Sequence, residues 1–323
     1  MLSHHALDLC LDHSSHQTEE LARNASSFDF LSNVRKRMSE KDIFHNNTDY
    51  KDALSTFISN CTQEQKALQW WKTKMPDIIK RSSTATPFRV LAVGPGNGKP
   101  FDEELLNMLC SSQKPVVYTV VEPERSCIDE LQELVKNKYS SVEFRWFCST
   151  WQDFQDKEWK NDGSHYNLIH FVHSAYYISE SVEELRERMK KCYDEMLGAG
   201  GVIVITASNL KGKWCFLPSV TEAFWWNFKV NIITKIAQEE NWKVDADELT
   251  HQVDLSACFD QDSVQGNLML DFLAQKYNYR QSVEEEELEK NLKFLEDLTD
   301  DSLNIVYPCI LDITKVWKEP LSS

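Results

Sequence analysis

Glycine and proline are scarce, at 9 each in 323 residues, which excludes collagen-like and low-complexity architectures. No apolar run approaches the roughly 20 residues of a membrane span. Met1 to Cys10 has no basic stretch leading into an apolar one, so the chain reads as neither inserted nor secreted. The nine cysteines form no C-x-x-C pair and no Cys/His cluster at metal-ligand spacing, and they read as reduced thiols of a cytoplasmic protein. On that reading the glycosylation-like triplets at Asn24, Asn46 and Asn60 are chance matches. Positive charge is also short. Thirty-five Lys and Arg face 51 Asp and Glu, a net charge of −16, so phosphates would be repelled at most faces. This argues against a nucleic-acid or anionic-membrane binder and favours a small neutral or cationic partner.

Hydrophobic residues make up 41% of the chain, enough for a sizeable core. Residues 1–45, rich in His, Ser, Asn and charge without a sustained period, are expected to form a flexible extension. His4, His5, His13 and His16 there lack acidic or cysteine co-ligands at fixed spacing and read as a solvated tail. Residues 46–323 are expected to form one domain, with a helical lid at 46–86, a core at 87–207, and a cap with closing strands at 208–323. Leu54, Phe57, Leu68, Trp71, Met75 and Ile78 recur at helical steps, interrupted at Ser59 to Thr62, where Thr62 can cap a second helix. Strands are expected at Phe88–Val93, Val116–Glu122, Val142–Phe147, Tyr166–Val172 and Gly201–Ala207. Helical segments at Phe101–Cys110, Arg125–Lys138 and Val182–Leu197 alternate with them. Near-continuous apolar strands in a β-α-β alternation predict an α/β fold, a parallel sheet with helices on both faces. Beyond Ser208 helices are expected at Asn231–Glu240, Leu268–Gln275 and Glu284–Asp297, with a closing strand at Val306–Val316.

The first strand runs into Val93-Gly94-Pro95-Gly96-Asn97-Gly98. Glycines there permit a sharp turn and close approach of a nucleotide-like ligand. The second strand ends in Glu122, a carboxylate able to accept both hydroxyl hydrogens of a ribose. The glycine spacing departs from G-x-G-x-x-G, which disfavours a pyrophosphate and a dinucleotide-dependent oxidoreductase. The next helix begins Asp102-Glu103-Glu104, three carboxylates that would repel a phosphate but tolerate a sulfonium cation. S-adenosylmethionine is the cofactor these features favour. Later strand tips supply Ser149 and Thr150 as partners for an adenine or amine, and Val172 with His173 at the ligand crevice of an open sheet.

From about Tyr50 to Val316 the chain resembles the histamine N-methyltransferase family. The resemblance rests on the Gly94 turn, Val121-Glu122-Pro123, Phe144 with Trp146, Ile169-His170 followed by Tyr176-Tyr177, and Asp254 to Phe259 through Gly266 to Leu273. It implies a Rossmann-like class I methyltransferase, with a mostly parallel seven-stranded sheet, a helical N-terminal lid and a substrate cap. It also implies a monomer that converts S-adenosylmethionine to S-adenosylhomocysteine while methylating a small amine or imidazole. Gly94, Gly96, Gly98, Glu122, Ser149, Thr150 and Val172 would hold the cofactor. Tyr50, Tyr177, Trp214 and Phe272 resemble the family's aromatic cage, while Trp70, Trp225 and Trp226 read as core.

No side chain need act covalently, because methyl transfer is an in-line displacement governed by positioning. Three polar positions depart from the family: Gln63 stands where it has Glu, His173 where it has Gln, and Tyr307-Pro308 near its Asn. An ammonium then loses its anionic partner unless Glu64 turns in. His173 could orient the acceptor, take its proton, or be an ordinary loop histidine. The altered polar set also keeps open a cofactor-binding sensor or scaffold without activity.

Overall fold

The computed structural model describes residues 47–82, 86–112, 114–159, 164–179, 181–209, 217, 229–297 and 306–319. The expectations for residues 1–45, Trp214, Trp225 and Trp226 lie outside the described residues. The strands β1 (Phe88–Val93), β2 (Val116–Val121), β3 (Val142–Phe147), β4 (Tyr166–Val172) and β5 (Leu197–Asn209) fall where the apolar runs predict them. β5 is longer than expected at both ends. All residues of β2 are buried, as a strand covered on both faces requires.

β6 (Lys243–Asp254) and β7 (Val306–Trp317) complete a seven-stranded sheet in the order β3-β2-β1-β4-β5-β7-β6. Pairings among β1 to β5 are parallel, and β7 runs antiparallel to both neighbours. This is the Rossmann-like class I methyltransferase arrangement that the resemblance implied. No strand was expected over 243–254. β6 is an edge strand whose exposed positions carry Lys243, Asp245, Glu248 and Thr250, so charge masks its alternation.

The helices are α1 (Asn47–Ser59), α2 (Gln63–Ser82), α3 (Phe101–Ser111), α4 (Arg125–Val135), the short α5 (Trp151–Asp153), α6 (Val182–Lys191), α7 (Lys229–Glu239), α8 (Val264–Ala274), the short α9 (Tyr279–Ser282) and α10 (Glu285–Asp297). The two-residue period of β1 divides the core. Val90 and Ala92 join Trp71, Met75, Leu105 and Leu131 on one face, while Leu91 and Val93 join Phe154, Phe171, Leu185 and Ile233 on the other. A third cluster packs Ala53 and Phe57 of α1 against Met269, Leu270 and Leu273 of α8. The Gln63–His173 hydrogen bond sets the start of α2 beside the carboxyl end of β4, where open α/β sheets bind ligands.

Thr62 does not act as the expected hydroxyl cap. Its Oγ1 accepts the Gln252 N–H at 2.8 Å, and its own N–H donates to Gln252 O at 2.9 Å. The residues between α1 and α2 therefore act as a short extra strand on β6, with Cys61 bridging Val253.

Candidate functional site

The turn after β1 is built from left-handed glycines. Gly94 has φ +61°, and a Cβ there would lie 2.7 Å from Ser174 Cβ, so the position excludes any side chain. Gly96 has φ +60° but faces open space, with nothing within 4 Å of a Cβ placed on it. Its N–H donates to Glu122 Oε2 at 3.0 Å, while Glu124 N–H donates to Oε1 at 3.0 Å. Glu122 is 7% exposed and is held by main chain alone, leaving one acceptor site on each oxygen for hydroxyl donors. Gly98 packs beside Leu131.

Asp102, Glu103 and Glu104 do not face the turn together. Asp102 is buried, accepting the Tyr118 hydroxyl at 2.6 Å and lying 3.3 Å from His170 Nε2. Burial, reinforced by Asp102, pushes the Tyr118 phenol well above its ordinary range and keeps it a donor. Glu103 pairs with Lys138 and Glu104 with Lys72. Repulsion of phosphate by three free carboxylates therefore does not hold, and the case against a pyrophosphate rests on the glycine spacing.

After β3, the Ser149 hydroxyl is buried and has no partner among the described residues. Thr150 instead caps α5, its hydroxyl accepting the Asp153 N–H at 3.2 Å and lying 3.1 Å from Asp153 Oδ2. Of the two hydroxyls, Ser149 is the one left for a ligand. Val172 ends β4, and His173 follows at φ +52° with its N–H donating to Thr206 O at 2.8 Å. The Ser174 hydroxyl donates to Val93 O and ties the tips of β1 and β4 together.

Beside these tips lies a polar chain. The Gln63 amide donates to His173 Nε2 at 3.0 Å, and the Gln63 N–H donates to Cys61 Sγ at 3.3 Å. Cys61 Sγ lies 3.2 Å from His251 Nδ1. Burial lowers both imidazoles to about 4, with His173 adding to the effect on His251. Glu64 is exposed and does not replace Gln63 as an anionic partner. The third altered position adjoins the same chain, because Pro308, Tyr307 and Cys309 pair with Gln252, Val253 and His251 in the ladder.

Aromatic rings flank this chain. Phe272 is 7% exposed, with Tyr50 at 6.3 Å between ring centroids and Phe57 stacked at 4.5 Å. Tyr177 is 69% exposed and hydrogen-bonds Tyr50. The structure thus brings Tyr50, Gln63, His173, Tyr177 and Phe272 together. Sequence reasoning missed Phe57, whose signal was its helical spacing from Tyr50, and His251, whose strand carries no clear alternation. Trp70 is core, as expected: 6% exposed, with Nε1 donating to Asp247 at 2.8 Å.

No family model matches the chain. Among curated proteins, histamine N-methyltransferase of Bos taurus is 22% identical over 261 residues, 75% of this chain and 85% of that protein. The Mus musculus enzyme is 21% identical over 285 residues, 82% of this chain and 91% of its own. Carnosine N-methyltransferase 2 of Gallus gallus is 22% identical over 245 residues, covering 72% and 74%. Among solved structures, TehB from Haemophilus influenzae aligns with TM-score 0.40 and 16% identity, over 75% of this chain and 62% of that one. A cyclopropane-fatty-acyl-phospholipid synthase-like protein from Lactobacillus casei aligns with TM-score 0.45 and 11% identity, over 76% and 89%. By sequence the chain is similar to the histamine N-methyltransferases, and by strand order it has the class I methyltransferase fold.

Proposed function

We propose that the chain is an S-adenosylmethionine-dependent N-methyltransferase acting on a small amine or imidazole. The observation that carries this reading is the Glu122 carboxylate, pinned by two backbone amides at the tip of β2 beside an open glycine turn. Its remaining lone pairs suit the two hydroxyls of a ribose, and the buried Ser149 hydroxyl suits an adenine edge. The residues present therefore fit this cofactor, which supplies an electrophilic sulfonium methyl when bound.

The protein's part is positional. Tyr50, Tyr177 and Phe272 supply aromatic rings, which favour a cationic centre by about 0.5–2 kcal/mol per contact. Gln63 and His173, joined to one another, orient the acceptor. His173 is neutral at pH 7 and its Nε2 lone pair accepts the Gln63 amide, so its part is to orient the acceptor and not to take its proton.

The test is incubation with labelled S-adenosylmethionine and a panel of small amines, followed by mass spectrometry of products. A methylated imidazole or amine is expected. No product from imidazoles, catecholamines or indoleamines, with cofactor binding intact, would favour the sensor reading that the altered polar set leaves open.

A further inference from the structure

Arg89 of β1 and Arg145 of β3 have no role in the reading above, yet both reach Ser164, just ahead of β4 at the amino end of the sheet. Arg89 Nη1 donates to Ser164 Oγ at 3.4 Å, and Arg145 Nη1 donates to the same oxygen at 3.5 Å. The strand register sets both arginines on one face, since Arg89 pairs with Val117 and Arg145 with Thr119, two positions further along β2. Trp159 Nε1 donates to Ser164 O at 2.9 Å and fixes the residue where the arginines reach it.

Arg145 also holds Glu143 through Nε at 2.9 Å, but Arg89 meets no carboxylate among the described residues. In a chain with 51 Asp and Glu against 35 Lys and Arg, two guanidiniums that meet on an uncharged hydroxyl run against the composition. The hydroxyl is a weak counterpart, and both of its contacts are long. A phosphate dianion offers several oxygens to planar N–H groups and forms charge-assisted bonds with them. Ser164 Oγ is already the point of convergence, so a phosphoryl group esterified there arrives between the guanidiniums without the translational loss that a free anion incurs. Ser164 is half-buried, lies outside helices and strands and is followed by the exposed His165, a setting open to an enzyme.

We propose that Ser164 is a phosphorylation site and that Arg89 and Arg145 form the clamp that receives its phosphate, tying the chain ahead of β4 to β1 and β3. The step is phosphoryl transfer from a nucleoside triphosphate by a protein kinase. The bond from Ser164 Oγ to the γ-phosphorus forms, the bond from that phosphorus to the diphosphate leaving group breaks, and the hydroxyl proton passes to the kinase's base. This site lies at the other end of the sheet from the candidate methyl-transfer site and does not depend on that reading.

The experiment compares the full chain carrying a phosphoryl group on Ser164 with the unmodified chain, a comparison that needs no arginine variant. Phosphorus NMR titration is expected to place the second phosphate ionisation at least one pH unit below its ordinary value of about 6, because the guanidiniums favour the dianion. Thermal denaturation at neutral pH is expected to show a midpoint raised by at least about 2 °C. Combining Arg89→Gln with Arg145→Gln is expected to abolish both shifts. Inorganic phosphate at matched ionic strength is expected to leave the unmodified chain's midpoint unchanged. Mass spectrometry of the chain isolated from its own cells, with phosphatases inhibited, is expected to find phosphate on Ser164. An unshifted ionisation, an unraised midpoint, shifts that survive the double substitution, equal stabilisation by inorganic phosphate, or an unmodified Ser164 in cells would overturn the proposal.

Discussion

The Gly96 N–H donates to Glu122 Oε2 at 3.0 Å, so one carboxylate both braces the turn after β1 and presents its remaining lone pairs beside it. The loop is thereby held in shape before any ligand arrives, which lowers the ordering cost of binding.

Replacing Glu122 by Ala should remove two charge-assisted hydrogen bonds to a ribose, each worth about 1.5–3 kcal/mol, and release Gly96 as well. S-adenosylhomocysteine affinity should fall at least tenfold by calorimetry. Equal affinities for wild type and variant would refute the assignment of Glu122 to the cofactor.

Alanine at Gly94 and at Gly96 should act differently although both have φ near +60°. Each substitution meets the left-handed penalty of about 1–2 kcal/mol. Only Gly94→Ala also drives a Cβ to 2.7 Å from Ser174 Cβ, so it should be the more destabilising of the two in urea unfolding. Gly96→Ala intrudes on open space and should weaken cofactor binding more than folding. The reverse order would contradict the close approach of Gly94 to Ser174.

Tyr118→Phe leaves the buried Asp102 without its 2.6 Å donor, and His170 at 3.3 Å is the contact that remains. A loss of about 1–3 kcal/mol in unfolding free energy is expected. An unchanged urea midpoint would mean that Asp102 is satisfied without the phenol.

Stability should decline on acidification below about pH 6.5. His173 and His251 are lowered from 6.5 to about 4 in the folded chain, so between those values the unfolded chain binds more protons and is favoured. Above pH 6.5 both states hold neutral imidazoles and the effect vanishes. For the fully buried His251 the loss amounts to at most about 3 kcal/mol by pH 4. Thermal denaturation across this range should show a shallower decline for His251→Gln than for wild type. Identical pH dependence would show that folding does not lower the His251 pKa.

The sequence by itself determined β1 to β5, because strands covered on both faces must be apolar along their length. It also determined the helical faces, the glycine turn and the Glu122 tip, since each depends on a short local stretch of chain. Only the tertiary structure decided that Asp102 turns inward to Tyr118, that Thr62 joins β6, and that Thr150 caps α5 while the Ser149 hydroxyl stays unpartnered. It alone brought His251 against Cys61. Gln63 and His173 are 110 residues apart and Cys61 and His251 are 190 apart, so the contacts that join them leave no periodic trace in sequence. Periodicity records which face of an element is buried, whereas the partner that a buried polar atom meets depends on how distant elements are stacked.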